Sequence, residues 1–481
     1  MSYVDALWDR DKDIIKVVER NKKGEREFRE FPARYVFYYG DGKGKQKSTF
    51  GDPVSRVVCK SWKDFLREQK INKHRGLYEA DINPVYRLLE ENYLGQDAPN
   101  LNVAFFDIEV DFDPERGYSS PEDPFTAITA ISVHLQWMDT LITLALPPKT
   151  LTMEQAKEEC KDFPNTYLFD SEAEMLDTFL DLIKDADVLS GWNSEGYDIP
   201  YTVNRITRVL SKEDTRRFCL WNAYPKKRIY EKFGREQETY DLIGRQHLDS
   251  LELYRKYTYE ERHTYRLDAI GELEVGEKKT EYEGTLDQLY NNDFKTFIEY
   301  NRQDVLLLDK LDKKLRFLDL ANELAHANTV LLPTTMGAVA VTEQAIINEA
   351  HHRGLQVAYP KKGLHDWIAS MDLNSLYPSV IRSLNMDPAT VVGQLKQNHT
   401  EEFISEQMNF KKKSFAGAWE GKFGSLEYDY VMEQRKDIEI TIDWEGGESD
   451  TLSAAEVYKL IFDSNQPWMV SANGTLFSTE F

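Results

Sequence analysis

Val103-Ala104-Phe105-Phe106-Asp107-Ile108-Glu109 is an apolar run that turns abruptly to two carboxylates. Its aromatic and β-branched content predicts a buried strand. Residues two apart in a strand share a face, so Asp107 and Glu109 point the same way, with Phe106, Ile108 and Val110 opposite. Two like charges side by side in a buried strand are unfavourable unless a cation sits between them. Hard oxygen ligands suit Mg²⁺, with Mn²⁺ as the alternative. Among 83 acidic residues an Asp-x-Glu pair also arises by chance, so the pair gains meaning only from partners elsewhere in the chain.

Composition sets the frame. A chain of 481 residues, 41% hydrophobic and 12% aromatic, exceeds one core and argues against disorder. The net charge of −23 argues against a non-specific basic coat for nucleic acid, but not against a nucleic-acid enzyme with an acidic metal site and local basic patches such as Lys226-Lys227-Arg228. Cys59, Cys160 and Cys219 are far apart, match no metal spacing and fit free thiols in a reducing cytosol. The N-terminus lacks a basic and then apolar leader, and no apolar run reaches membrane-spanning length. A soluble, cytoplasmic protein without a membrane partner is expected. His351 and His352, as helix neighbours, do not share a face and read as surface residues.

Residues 1–100 read as a small α+β unit, with a strand over 26–39, a glycine turn over 40–44, and helices over 61–69 and 83–92. Residues 101–317 alternate strands and helices, which predicts an α/β domain with a mixed sheet. Its expected parts are a hairpin over 125–146, a helix after a Ser171–Glu174 capping box, and a short strand over 188–193. A helix over 198–209, an extended hairpin over 226–242 and one long helix over 293–328 follow. Beyond it come a helix over 342–352, a boundary near Tyr359-Pro360, a strand over 367–373, and a polar tail with strands near 438–442 and 468–472.

Three more positions join the opening pair. Asp198 closes Asn193-Ser194-Glu195-Gly196-Tyr197-Asp198 at a helix start. Tyr300 and Asp304 are four apart on the long helix and share a face. An aspartate inside a helix is unfavourable by propensity, which invites a functional reason. Asp-x-Glu on a strand, Asn-x₃-Tyr-Asp at a helix start and Tyr-x₃-Asp on a later helix resemble the three exonuclease motifs of family B DNA polymerases. Met371-Asp372-Leu373-Asn374-Ser375-Leu376-Tyr377-Pro378 resembles the first polymerase motif of that family, in the right order. Residues 191–205 and 372–388 are similar to the tailed-phage replicative branch.

The resemblance implies a ribonuclease H-like 3′→5′ exonuclease domain over 101–317. It would be flanked by an N-terminal α+β domain, 1–100 completed by about 318–356, and by a partial polymerase palm over 357–481. Asp107, Glu109, Asp198 and Asp304 would hold two Mg²⁺ ions roughly 3.5–4 Å apart across one scissile phosphate. Tyr300, with an ordinary pKa of about 10, would position the attacking water rather than take its proton. Asn193 and Tyr197 would contact the terminal nucleotides, and Phe125 would stack on a frayed base. The implied substrate is a single-stranded 3′ end and the implied role is proofreading. In the palm segment, Asp372 would bind metal. Leu373, Ser375, Leu376 and Tyr377 would surround a dNTP, with backbone N–H groups at a helix start facing its triphosphate.

Two family features are missing from the pattern. No Tyr-Gly-Asp-Thr-Asp hairpin with a second catalytic aspartate follows Asp372, and one carboxylate cannot hold two metals. Synthesis on primer–template DNA is therefore expected only with a complementary chain carrying fingers, remaining palm and thumb, and a sliding clamp would be met through that chain. The Tyr-x-Gly-Gly/Ala element between the two activities is also absent around Gly354-Leu355-Gln356-Val357. A stand-alone 3′→5′ exonuclease and a non-catalytic nucleic-acid-binding module remain open as alternatives.

Overall fold

The computed structural model describes residues 2–232, 235–258, 262–280, 282–357, 390–396, 439–463, 468–470 and 475–478. They fall into two compact units, 1–361 and 362–481.

The first unit begins with an antiparallel meander of β1 (Ser2–Asp9), β2 (Ile14–Arg20) and β3 (Arg26–Pro32). A second sheet holds β4 (Tyr35–Gly40), β5 (Gln46–Ser48), β6 (Pro53–Cys59) and β7 (Leu77–Tyr78). The single strand expected over 26–39 is thus two strands in different sheets. Pro32 ends the first of them, where its missing N–H would leave a gap in the ladder. Helix α1 (Trp62–Asn72) is capped by Ser61, which accepts from the Asp64 N–H at 3.1 Å. Helix α2 (Pro84–Tyr93) is capped by Asn83, which accepts from the Val85 N–H at 3.0 Å. Pro84 sits in its first turn, where no N–H is needed.

The central sheet is built from β8 (Val103–Val110), β9 (Ile128–Leu135), β10 (Thr140–Ala145), β11 (Thr166–Leu168) and β12 (Val188–Ser190). The β13 (Lys226–Lys232) and β14 (Arg235–Asp241) pair forms the expected extended hairpin, as a two-stranded sheet of its own, and β15 (Gln246–His247) is the last strand of the central sheet. The strand order is β11-β10-β9-β8-β12-β15, with β9 antiparallel to both neighbours and the remaining pairs parallel. Five helices pack against it or precede its turns: α3 (Met153–Glu159), α4 (Glu172–Leu182), α5 (Asp198–Val209), α6 (Ser250–Tyr257) and α7 (Leu267–Val275). Ser171 is the N-cap of α4 but makes no side-chain cap bond, so the expected capping box is not formed there. Glu172 of that first turn is instead drawn to the Arg205 guanidinium, at 2.6 Å. A complete capping box forms at Thr152 and Gln155, ahead of α3.

Strand β8 sits in the middle of the sheet and separates two cores. On one face Phe106 and Ile108 join Leu176, Phe179 and Ile199 from α4 and α5, with the Phe106 and Phe179 rings 5.9 Å apart. Each such fully buried side chain contributes about 1.5–3 kcal/mol. On the other face Phe105 meets Val305 and Leu308 of α9 (Phe294–Leu315), which follows α8 (Leu286–Asn292).

The long helix expected over 293–328 is broken. Helix α9 ends at Arg316, whose φ of 54° is left-handed, and α10 (Phe317–Ala327) starts at once. Phe317 packs against the rings of Tyr254 and Tyr257 at the break. The apolar spacing continues through the kink, so periodicity alone does not reveal it. Helix α11 (Ala338–His352) and β16 (Leu355–Gln356) complete the unit, β16 pairing in parallel with β5. His351 is not a free surface residue: its ring nitrogens lie 2.8 Å from Glu79 and 2.6 Å from Glu90.

In the second unit β17 (Val391–Leu395), β18 (Glu439–Trp444), β19 (Ser449–Ser453), β20 (Trp468–Val470) and β21 (Thr475–Ser478) form an antiparallel sheet of order β19-β18-β17-β21-β20. Ile440, Ile442 and Leu476 form its core with Val457. The strand expected over 367–373 and the residues Asp372, Leu373, Ser375, Leu376 and Tyr377 lie outside the described residues.

Candidate active site

Asp107 and Glu109 do share a face of β8, opposite Ser132 and Ala130 of β9, and a bulge follows between Glu109 and Val110. That face lies under α9. Asp304 of α9 reaches down to them, so that one carboxylate oxygen from each of Asp107, Glu109 and Asp304 lies within 4.8 Å of the others. Glu109 and Asp304 are buried, at 8% and 2% exposure, whereas Asp107 is partly open.

Asp198 begins α5, directly after β12 and its turn. Its Oδ1 accepts the Ile108 N–H at 3.2 Å, which ties it to the same strand. The turn between β12 and α5 is tightly held. A side chain at Gly191 would meet the Phe106 carbonyl at 2.8 Å, so only glycine fits. Asn193 takes a left-handed φ of 62°. Asp249 accepts the Asn193 and Glu195 N–H groups at 3.0 and 2.9 Å, fixing the turn from outside. Sequence reading passed over Asp249, because an N-cap ahead of α6 carries no spacing signal toward a turn 54 residues earlier.

Burial raises the pKa of all four acids. Glu109 is pushed up to about 8 by burial, with the Asp304 charge adding to it. Burial pushes Asp198 up to about 7 against the pull of backbone N–H groups. Asp304 is pushed up to about 6 by burial, opposed by the Lys279 ammonium. Burial and the charge of Glu109 hold Asp107 well above the usual carboxylate range. Carboxylates crowded in this way call for a cation.

The protein itself supplies one. Lys279, in the segment between α7 and α8, donates to Asp304 Oδ2 at 2.5 Å and to the Tyr300 hydroxyl at 3.2 Å. Burial opposes its charge, but the carboxylates of Asp304 and Asp107 outweigh burial and hold the amine above its ordinary value. Asn301 donates to Asp107 Oδ2 at 2.8 Å and is fully buried. Neither residue was singled out from the sequence. Asn301 lies within the quoted Tyr300–Asp304 motif, one residue from Tyr300, so its proximity was legible. Lys279 lies in a charged loop with no periodicity to mark it.

Tyr300 stands beside Asp304 as expected, its ring edge-on to Tyr282 at 5.3 Å. Burial and the Asp304 charge raise its hydroxyl pKa further, so it is a neutral hydrogen-bonding group at pH 7. Tyr197 stacks on Tyr201 with centroids 5.4 Å apart, next to Asp198. Asn193 is exposed at the turn. Phe125 is partly buried, and one face of its ring already carries the Arg116 guanidinium at 3.6 Å.

The residues fit divalent metal. Their donors are hard carboxylate oxygens, and Asp304 Oδ1 is buried with no hydrogen-bond partner. Acids from a central strand and two helices, gathered on one spot with a lysine among them, form the class of carboxylate cluster that can hold a divalent ion. Comparison with known proteins narrows this class. Residues 57–270 match the family described as DNA polymerase family B, exonuclease domain, and residues 307–438 match DNA polymerase family B. The chain belongs to family B of the DNA polymerases. It is 26% identical over 393 residues to the DNA-directed DNA polymerase of Escherichia phage RB69, covering 74% of this chain and 43% of that protein. It is 27% identical over 424 residues to the DNA-directed DNA polymerase of Enterobacteria phage T4, covering 80% of this chain and 47% of that protein. DNA polymerase 1 of Pyrococcus abyssi is 23% identical over 434 residues, 82% of this chain and 51% of its own length. The chain thus spans about half the length of the curated relatives it matches. Among the described residues no helix is long and apolar enough to cross a membrane.

Proposed function

We propose that the central domain is a ribonuclease H-like 3′→5′ exonuclease that removes nucleotides from a single-stranded 3′ end, in a proofreading role beside DNA synthesis. The convergence of Asp107, Glu109 and Asp304 within 4.8 Å carries this reading. The strand order, with β8 central and only β9 reversed against its neighbours, supports the fold assignment. Asp107, Glu109, Asp198 and Asp304 would hold two Mg²⁺ ions. When bound, the ions supply Lewis-acid activation of water and neutralise charge on the scissile phosphate.

The chain's own residues set the geometry. Asn301 fixes the Asp107 carboxylate, and the Ile108 N–H fixes that of Asp198. Tyr300, neutral at pH 7, orients the attacking water by hydrogen bonding. Lys279 holds both the Tyr300 hydroxyl and Asp304, and adds positive charge where phosphate charge grows. Tyr197 offers an aromatic face to a terminal nucleotide. The segment with Asp372, Leu373, Ser375, Leu376 and Tyr377 would take a dNTP for synthesis on primer–template DNA only once a complementary chain supplies the missing motifs.

A 5′-labelled oligonucleotide tests the reading. With Mg²⁺ or Mn²⁺ a ladder shortening from the 3′ end is expected, faster on single strands than on paired ends and absent in chelator. Wild-type chain that leaves the label at full length would refute it.

A further inference from the structure

A second group of potential ligands lies under the same helix, beyond the acids described above. His134 is near the end of β9, Asp139 is in the left-handed turn between β9 and β10 with φ of 46°, and Asp309 is on α9. One donor atom from each lies within 4.8 Å of the others. His134 and Asp309 are buried, at 2% and 4% exposure. His134 Nδ1 and Asp309 Oδ1 face each other at 3.4 Å, yet neither makes a hydrogen bond. Buried polar atoms are nearly always satisfied, so two orphans facing one point need an explanation.

Charge shows the same need. Lys313 reaches over from the next turn of α9, with its ammonium 2.8 Å from Asp309 Oδ2 and 3.3 Å from Asp139 Oδ1. It pairs with Asp309 Oδ2 and Asp139 Oδ1 and leaves His134 Nδ1 and Asp309 Oδ1 without a hydrogen bond. The His134 Nε2 edge faces Asp139 at 3.5 Å.

We propose that His134, Asp139 and Asp309 form a second metal site, for a transition-metal ion such as Zn²⁺, which staples the β9–β10 turn to α9. One imidazole with carboxylates suits borderline transition ions and not Mg²⁺, which takes oxygen ligands. Bonds of about 2.0–2.1 Å place neighbouring tetrahedral donors about 3.4 Å apart, which is the separation of the two orphan atoms. Asp139 is the mobile third arm, since its side chain is 80% exposed and can swing inward. Lys313 is the counter-ion of the metal-free state and gives way when the ion enters. The staple holds α9 five residues beyond Asp304, so it sets the seating of the helix that carries Tyr300 and Asp304.

The test is Zn²⁺ binding by equilibrium dialysis on the full chain carrying D107A/E109A, which removes two carboxylates of the other cluster. One equivalent of Zn²⁺ is expected to remain. Adding H134Q or D309N should weaken it at least about 100-fold, since loss of a mere supporting contact costs 10–100-fold. K313M should tighten it about tenfold, and Co²⁺ should give the intense visible absorption of a tetrahedral site. Asp139 is too exposed to matter for folding, so D139N weakens binding without shifting the melting curve in chelator, even if H134Q or D309N misfolds. Equal Zn²⁺ affinity with and without D139N and H134Q, or no Zn²⁺ bound by the K313M variant, overturns the proposal. The latter result would make the group a plain ion-pair set between His134, Lys313 and the two aspartates.

Discussion

Replacing Lys279 by methionine keeps the length of the side chain and removes its charge. In the wild-type chain the ammonium bonds Asp304 at 2.5 Å and the Tyr300 hydroxyl at 3.2 Å. A hydrogen bond to a charged group contributes about 1.5–3 kcal/mol. If the Tyr300 bond is what orients the attacking water, its loss slows excision by about 10–150-fold, at 1.4 kcal/mol per tenfold. The same ammonium repels any divalent ion beside Asp304, so the variant should reach half-maximal rate at lower Mg²⁺. The two effects separate in single-turnover excision of a labelled single strand across a Mg²⁺ titration. The expected result is a lower plateau with a left-shifted midpoint, and Lys279→Arg, which keeps the charge, should fall between. A plateau within twofold of wild type would refute the role assigned to Lys279.

Two other perturbations test the scaffold. Asp187, at 1% exposure, accepts Arg20 Nε at 2.8 Å, Arg26 at 3.0 Å and the Asn102 N–H at 2.9 Å, joining β2 and β3 to the central sheet. Asp187→Ala leaves the buried Arg20 with the more exposed Asp185 as its remaining ion-pair partner, beside the Gly24 carbonyl. It should cost about 3 kcal/mol, seen as a drop of about 1 M in the urea midpoint; a drop under about 0.2 M would count against it. His351 is raised to about 9, with burial opposing and the Glu79 and Glu90 carboxylates raising it. A folded-state pKa above the ordinary 6.5 stabilises the protein fully below pH 6.5, and that part is lost as pH rises through about 9. After discounting for solvent screening it amounts to about 1–2 kcal/mol. Melting temperatures of wild type and His351→Gln should converge between pH 6.5 and 9.5, whereas parallel curves would contradict the assignment.

The parts legible in the sequence were those with a strong local period. Strand β8, helix α5 with its aspartate at the first position, and the placement of Tyr300 and Asp304 on one helix face all follow from spacing. The break at Arg316 did not show, because the apolar stripe runs through it and only a backbone angle changes. The division of residues 26–39 between two sheets was signalled by Pro32, which outweighs the alternation around it. His351 looked like surface because its partners, Glu79 and Glu90, lie some 260 to 270 residues away in sequence. Lys279 and Asp249 were missed for the same reason: each acts on the site through a long-range contact that no spacing encodes. The acids of the site were readable because they sit on regular elements, and the groups that hold them were not, because most come from loops and caps.

The central claim is that Asp107 and Glu109 are half of a catalytic metal site. Its most direct test is Mg²⁺-dependent degradation of a 5′-labelled single strand by wild type and by the D107A/E109A double variant, both folded by circular dichroism. Wild type should shorten the strand from its 3′ end, and the double variant should lose at least about 1,000-fold in rate, as expected when preorganised charge stabilisation is removed. Degradation by the double variant at the wild-type rate would contradict the account.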